Sequence, residues 1–284
     1  MNADQHNYMT YDRVLTVTRV LAGIVVPVLV AAFFMLYFFP NNSGALFAWP
    51  VKPQMSAMML GATYIGGAYF FSMVLVSKRW HTIRLGFIPV SVFAGILGIS
   101  TILHWDKFTH GHISFILWAI LYFSLPFVIP VVWYINQRAN RGNPDPRQQQ
   151  LSRPIWLAMG CLGAILAAVS LLLLLFPQAM IPTWPWTLSP LTARIMSAMF
   201  ALSGLVGLEV AYDRYWSSAR IVLQSQSISI VLILLAMIPA NKDIFWSRWE
   251  GVLFIGGLLL VLGVNVLAYL AARKAPLTTT ARVT

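Results

Sequence analysis

Along the chain, apolar residues come in eight blocks of about twenty, separated by short stretches that hold most of the charges, prolines and tryptophans. The blocks run from Val20 to Phe39, Gln54 to Val76, Leu85 to Leu103, Ile113 to Trp133, Ile155 to Phe176, Leu191 to Ala211, Ile221 to Pro239 and Val252 to Ala272. About 20 apolar residues span the hydrocarbon of a bilayer as a helix, the form that satisfies every backbone N–H and C=O within the segment. The pattern therefore predicts an all-α integral membrane protein with eight transmembrane helices. The one long polar run between the ends, Asn136 to Pro154, divides them four and four. It sets the expected organisation: a four-helix unit over 1–135, a basic linker over 136–154, a second four-helix unit over 155–272 and a tail over 273–284. The first dozen residues carry Asp4 and Asp12, unlike the basic start of a cleaved signal peptide, so the first segment is expected to be retained.

The two halves read as a repeat. A shift of 137 residues lays Gly23 on Gly160, Ala31 on Ala168, Phe39 and Pro40 on Phe176 and Pro177, Trp49 on Trp186, and Pro53 on Pro190. A slip of one residue then brings Ala57, Ala62, Val74, Trp80 and Arg84 onto Ala193, Ala198, Val210, Trp216 and Arg220. Apolar helices agree by chance, whereas punctuation by Trp, Pro and Arg does so less readily. An even number of helices per unit makes both halves enter from one side. Two parallel four-helix repeats about a pseudo-two-fold axis along the membrane normal are therefore expected. Small residues at spacing four, Ala57 with Gly61 and Ala193 with Ser197 and Ala201, mark the second helix of each half as a central pair.

Composition agrees with lipid as the solvent: 59% of residues are hydrophobic, only 10% are charged, and the mean hydropathy is +0.75. The net charge of +11 lies in loops beside tryptophans, where head groups meet it, which excludes nucleic acid as the expected partner. Those loops also set the orientation. Arg13, Arg19, Lys78, Arg79, Arg84, Arg138, Arg141, Arg147, Arg153, Arg214, Arg220, Arg273, Lys274 and Arg282 fall on the side of the termini, against Lys52, Lys107, Arg194, Lys242 and Arg248 on the other. Short cytoplasmic loops retain Lys and Arg, so both termini are expected in the cytoplasm of a multi-pass plasma membrane protein, such as one of a bacterial inner membrane. Cys161 is the single cysteine, which leaves no internal disulfide.

Chemistry is sought among polar residues present in one half only, since those shared by both halves maintain the fold. Two groups qualify. The loop between the third and fourth helices holds His104, Asp106, His110 and His112, donors suited to one divalent metal ion, while its counterpart holds no histidine. The plainer reading is an interfacial loop that caps the next helix. On the cytoplasmic side of the second half, Glu209, Arg220, Gln224, Gln226, Ser227 and Asn265 would either pair across helices, Glu209 with Arg220 or Arg214, or line a small polar cavity.

Nucleotide-binding, hydrolase and dithiol signatures are missing, as is a lysine within any span. The favoured reading is a non-catalytic membrane subunit or scaffold with a capacity to bind lipid, its partners being membrane lipids and other membrane subunits or a second copy. The alternatives are a transporter or channel for a lipid-like or small neutral molecule, and a redox or metal-binding protein using the histidine loop. No cofactor is expected beyond the metal that loop would take.

Overall fold

The structure is a computed structural model that describes residues 12–140 and 149–274. Eight helices dominate it: α1 (Thr16–Phe38), α2 (Gln54–Val76), α3 (Phe87–Leu103), α4 (Ile113–Ala139), α5 (Arg153–Leu175), α6 (Pro190–Asp213), α7 (Trp216–Ala236) and α8 (Trp249–Lys274). Seven are long and apolar enough to cross a membrane. The exception, α3, is apolar but has 17 residues, about 25 Å at 1.5 Å per residue. Among the described residues the only β-pairing is an isolated bridge between Gln150 and Tyr215. The long polar run begins as helix, because α4 continues through Ala139, and residues 141–148 lie outside the described residues.

The helix ends show how the bundle is joined. Asn136, in the last turn of α4, accepts from Leu15 N at 3.0 Å and Thr18 Oγ1 at 2.7 Å, while Asn140 accepts from Arg13 N at 2.6 Å. Together they cap the start of α1, where Leu15 has no side-chain oxygen to offer. Pro53 precedes α2 and cannot cap it, so Asp243 Oδ2 in the α7–α8 connection accepts from Met55 N at 2.8 Å. A carboxylate there also meets the positive end of the helix dipole.

Prolines inside α4 shape its contact with α3. Pro130 has no N–H for the carbonyl of Pro126, and Ser91 Oγ of α3 donates to that oxygen at 3.0 Å instead. Pro126 likewise leaves the Tyr122 carbonyl without its helical donor. There α3 presents Gly98, whose hypothetical Cβ would lie 2.6 Å from that oxygen.

Packing is closest between α1 and α2 and between α5 and α6. Across the halves, α7 lies on α2 and α3 on α6, while α8 touches α7 and α5 only lightly. Burial follows: 61% of the apolar window of α2 and 50% of that of α6 are covered, against 17% for α8, so α2 and α6 are central and α8 is peripheral. Among the small residues, Gly61 does not join α2 to α6. Gly61 faces Tyr37 and Leu36 of α1, and Gly204 and Gly207 of α6 meet Gly163 of α5 backbone to backbone.

Candidate functional site

Loose packing of α8 leaves a crevice of about 400 Å³ between α2, α3, α5, α6, α7 and α8, within the size range of ligand pockets. Its walls are mostly apolar, with Met59, Phe70, Val169, Met199, Leu253 and Phe254 prominent among them. Trp249, Leu253 and Ile165 border it and are 67%, 62% and 58% exposed, so it opens sideways between α5 and α8, on a face that lipid would cover. Three of the hydroxyls in its walls are engaged: Ser225 Oγ donates to Gly66 O at 2.7 Å, Thr63 Oγ1 to Met59 O at 3.0 Å and Ser229 Oγ to Ser225 O at 3.3 Å, while Ser203, also on the wall, makes no side-chain hydrogen bond among the described residues.

Residue size explains why the space lies in this half. Trp49 of the first half packs on Trp118 at 4.7 Å, and Trp118 on Tyr122 at 4.2 Å. Trp118 donates to Thr101 Oγ1 at 2.8 Å, the Tyr122 and Tyr64 hydroxyls meet at 3.0 Å, and all of these side chains are buried. In the second half Trp186 packs instead on Phe254 of α8, at 5.1 Å, and no second large ring follows it. Gly257, on the crevice wall, adds no side chain, and a Cβ there would meet nothing within 4 Å.

The polar residues anticipated on the cytoplasmic side divide between this crevice and the helix contacts. Gln226 lines the crevice and accepts from Asn265 Nδ2 at 2.9 Å; the same amide reaches Ser227 Oγ at 3.2 Å. A smaller void of about 20 Å³, enough for one water, lies against Gln226 and Asn265. Gln224 turns elsewhere and accepts from Tyr69 OH at 2.8 Å, and Arg220 is exposed. Glu209 is not a cavity residue, nor does it pair with Arg220 or Arg214. Its Oε2 accepts from Gly86 N at 3.1 Å, capping α3 at a residue whose φ of +99° favours glycine. Beside it Arg84 pairs with Asp213 across the halves. Burial pushes Arg84 below its usual range, against the pull of Glu209 and Asp12. Asp12 itself pairs with His81; burial would raise it, but the bonds and charge of His81, with Arg79, hold it below the ordinary carboxylate range.

The histidine loop is spread out. His104 Nε2 faces Arg194 Nη1 at 2.7 Å, His110 stacks on Trp105 at 4.7 Å, and His112 Nδ1 accepts from Ser114 N at 3.3 Å to cap α4. Asp106 pairs with Lys107 at 2.8 Å, which holds it below its usual range. Among the described residues no group of three or more His, Cys, Asp or Glu side chains is placed to hold a metal ion.

Three residues missed by sequence reasoning matter here. Asp243 caps a helix 188 residues away, a relation with no local signature. Trp184 and Glu250 both line the crevice near the α7–α8 connection, and Trp184 Nε1 and Glu250 Oε2 are buried without a hydrogen-bond partner. Read along the chain, the first is one of several interfacial tryptophans and the second an ordinary loop carboxylate. No protein-family model matches the chain, and neither a curated protein nor a solved structure is detectably similar to it.

Proposed function

We propose that this protein is a non-catalytic membrane subunit or scaffold that holds a lipid-like molecule in the crevice of its second half. The observation that carries the reading is the crevice itself: about 400 Å³, walled by apolar side chains from six helices and open between α5 and α8. An aqueous solute would have to leave water for such walls, whereas a hydrocarbon chain enters from a solvent of the same polarity. The Thr63, Ser225 and Ser229 hydroxyls, bonded to carbonyls of their own or the adjacent helix, suit binding better than nucleophilic attack.

The reading extends to the whole chain. All eight helices span the membrane, both termini face the cytoplasm of a plasma membrane, and the halves are parallel repeats related along the membrane normal. In support, the pattern of helix contacts survives exchange of the halves: α1–α2 maps onto α5–α6, α2–α7 onto α6–α3, α3–α4 onto α7–α8, and α1–α4 onto α5–α8. Its partners are membrane lipids and other membrane subunits or a second copy.

The test is the lipid content of the purified chain. Wild type in mild detergent should carry about one tightly held lipid-like molecule per chain. Gly257→Trp, which fills the crevice where a Cβ meets nothing, should lose it while remaining folded. Equal lipid content in the two proteins would overturn the proposal.

A further inference from the structure

We propose that the mouth of the crevice recognises a single-chain amphiphile whose uncharged head carries a hydroxyl, with Trp184 and Glu250 as the residues that read it. This inference rests on the lipid-binding reading above and assigns the chemistry of the ligand.

The head-group end is located by hydrogen bonds left unmade. Five buried side-chain atoms lack a partner among the described residues: Trp49 Nε1, Arg84 Nε, Asp213 Oδ2, Trp184 Nε1 and Glu250 Oε2. Two belong to the Arg84–Asp213 pair and one to the closed aromatic cluster of the first half. The remaining two are on the crevice wall, one an N–H donor and the other a carboxylate acceptor. Trp184 and Glu250 are only 5% and 8% exposed. Both are close to Phe254: Glu250 lies one helical turn before it, and its ring is 5.9 Å from that of Trp184. A buried polar atom without a partner is costly, and a donor and an acceptor on one wall are what a hydroxyl can satisfy, since it gives one hydrogen bond and takes another.

Charge narrows the head further. Glu250 Oε1 is already bonded to Arg248 Nη2 at 2.7 Å, so the mouth offers a neutral ion pair with a spare carboxylate oxygen. The guanidinium is partly committed, since it also donates to Pro182 O and lies 5.5 Å over the Phe245 ring. A phosphate or carboxylate head would set its charge against Glu250 Oε2. A trimethylammonium head would have no hydrogen to donate to it. Elsewhere on the wall, Ser225, Ser229 and Gln226 have partners of their own, and the Ser203 hydroxyl is not among the buried unpartnered atoms, so none makes a comparable demand.

Depth fixes the chain. From Glu250 to Val261 the wall contributed by α8 covers twelve residues, or about 16 Å at 1.5 Å per residue. This is about half of the ~30 Å hydrocarbon thickness of a bilayer, the reach of one chain in one leaflet.

The experiment uses the full chain in lipid nanodiscs and four fluorescent probes with the same chain: a monoacylglycerol, a fatty acid, an alkyl phosphate and an alkyltrimethylammonium. The monoacylglycerol should bind at least tenfold more tightly than the other three. Trp184→Phe and Glu250→Gln should each weaken it about tenfold, the scale of one lost hydrogen bond to a buried partner, and the uncharged change Trp184→Phe should leave the alkyltrimethylammonium unchanged, which also shows that the crevice remains folded. Equal binding of all four heads, or no effect of either substitution while Gly257→Trp abolishes binding, would overturn head-group recognition and leave lipid binding standing. If no probe binds above protein-free nanodiscs, both readings fall.

Discussion

At the scale of single residues, the contact between Arg194 and His104 shows how protonation enters an otherwise apolar molecule. Guanidinium only donates, so at 2.7 Å His104 Nε2 must accept, and the ring is neutral with its proton on Nδ1. Burial, then the charge of Arg194, lowers the His104 pKa from its ordinary value of 6.5. The folded protein therefore favours the neutral ring. The stability this contact contributes is fully present above about pH 6.5 and is lost as pH falls from there through the lower folded-state value. His104→Gln should keep an acceptor for Arg194 at every pH. Thermal unfolding in nanodiscs between pH 7.5 and 5 should show wild type losing about 1 kcal/mol, a few degrees, relative to the variant. Parallel curves for the two proteins would refute the assignment. Asp12 works in another window: held below the ordinary carboxylate range, its contact with His81 contributes above about pH 4 and is lost only as pH falls further.

At the scale of helices, glycine placement separates tight crossings from the open face. A Cβ on Gly204 would lie 2.7 Å from Ala167 N, on Gly163 2.7 Å from Gly204 O, and on Gly66 2.0 Å from Ser229 Oγ, whereas one on Gly256 or Gly263 meets nothing within 4 Å. Lipid provides no hydrophobic drive for helices to associate, so such close approach carries much of the α5–α6 contact. Gly204→Ala should destabilise the protein by a few kcal/mol, since backbone must move, while Gly256→Ala should be neutral or stabilise by up to about 1 kcal/mol through helix propensity. Denaturation of the two variants in the same detergent checks the contrast, and equal losses would contradict it. Sequence shows that these glycines lie in apolar segments, and periodicity locates the segments closely: α2 spans Gln54–Val76 as read from the pattern. Which glycine faces a neighbour depends on helix rotation about its own axis. Nearly uniform hydropathy around each helix, as on α2 and α8, leaves that rotation unmarked. For the same reason the crevice is not legible: it lies against Phe254 and Gly257 of α8, whereas Trp118 and Tyr122 of α4 are packed into a closed aromatic cluster.

At the scale of the molecule, the eight-span arrangement turns on α3. Its 17 residues cover about 25 Å, short of the ~30 Å hydrocarbon core, yet a span buried against neighbours needs no full lipid-facing length. Both ends of α3 are tied to α6: Glu209 caps Gly86 N at one, and Arg194 reaches His104 at the other. Since α6 is itself 24 residues long and apolar enough to cross, a helix fastened to it at both ends should cross with it. The connections on either side of α3 should then lie on opposite faces of the membrane. Cys161 is replaced by Ala to give a cysteine-free background, and single cysteines are placed at Thr82, Lys107, Ser152 and Lys242. An impermeant maleimide added to intact cells should label positions 107 and 242, and label 82 and 152 only after the membrane is opened. Labelling of 82 and 107 from the same side would show that α3 does not cross. It would leave seven spans, place the two ends of the chain on opposite faces, and remove the parallel relation between the halves.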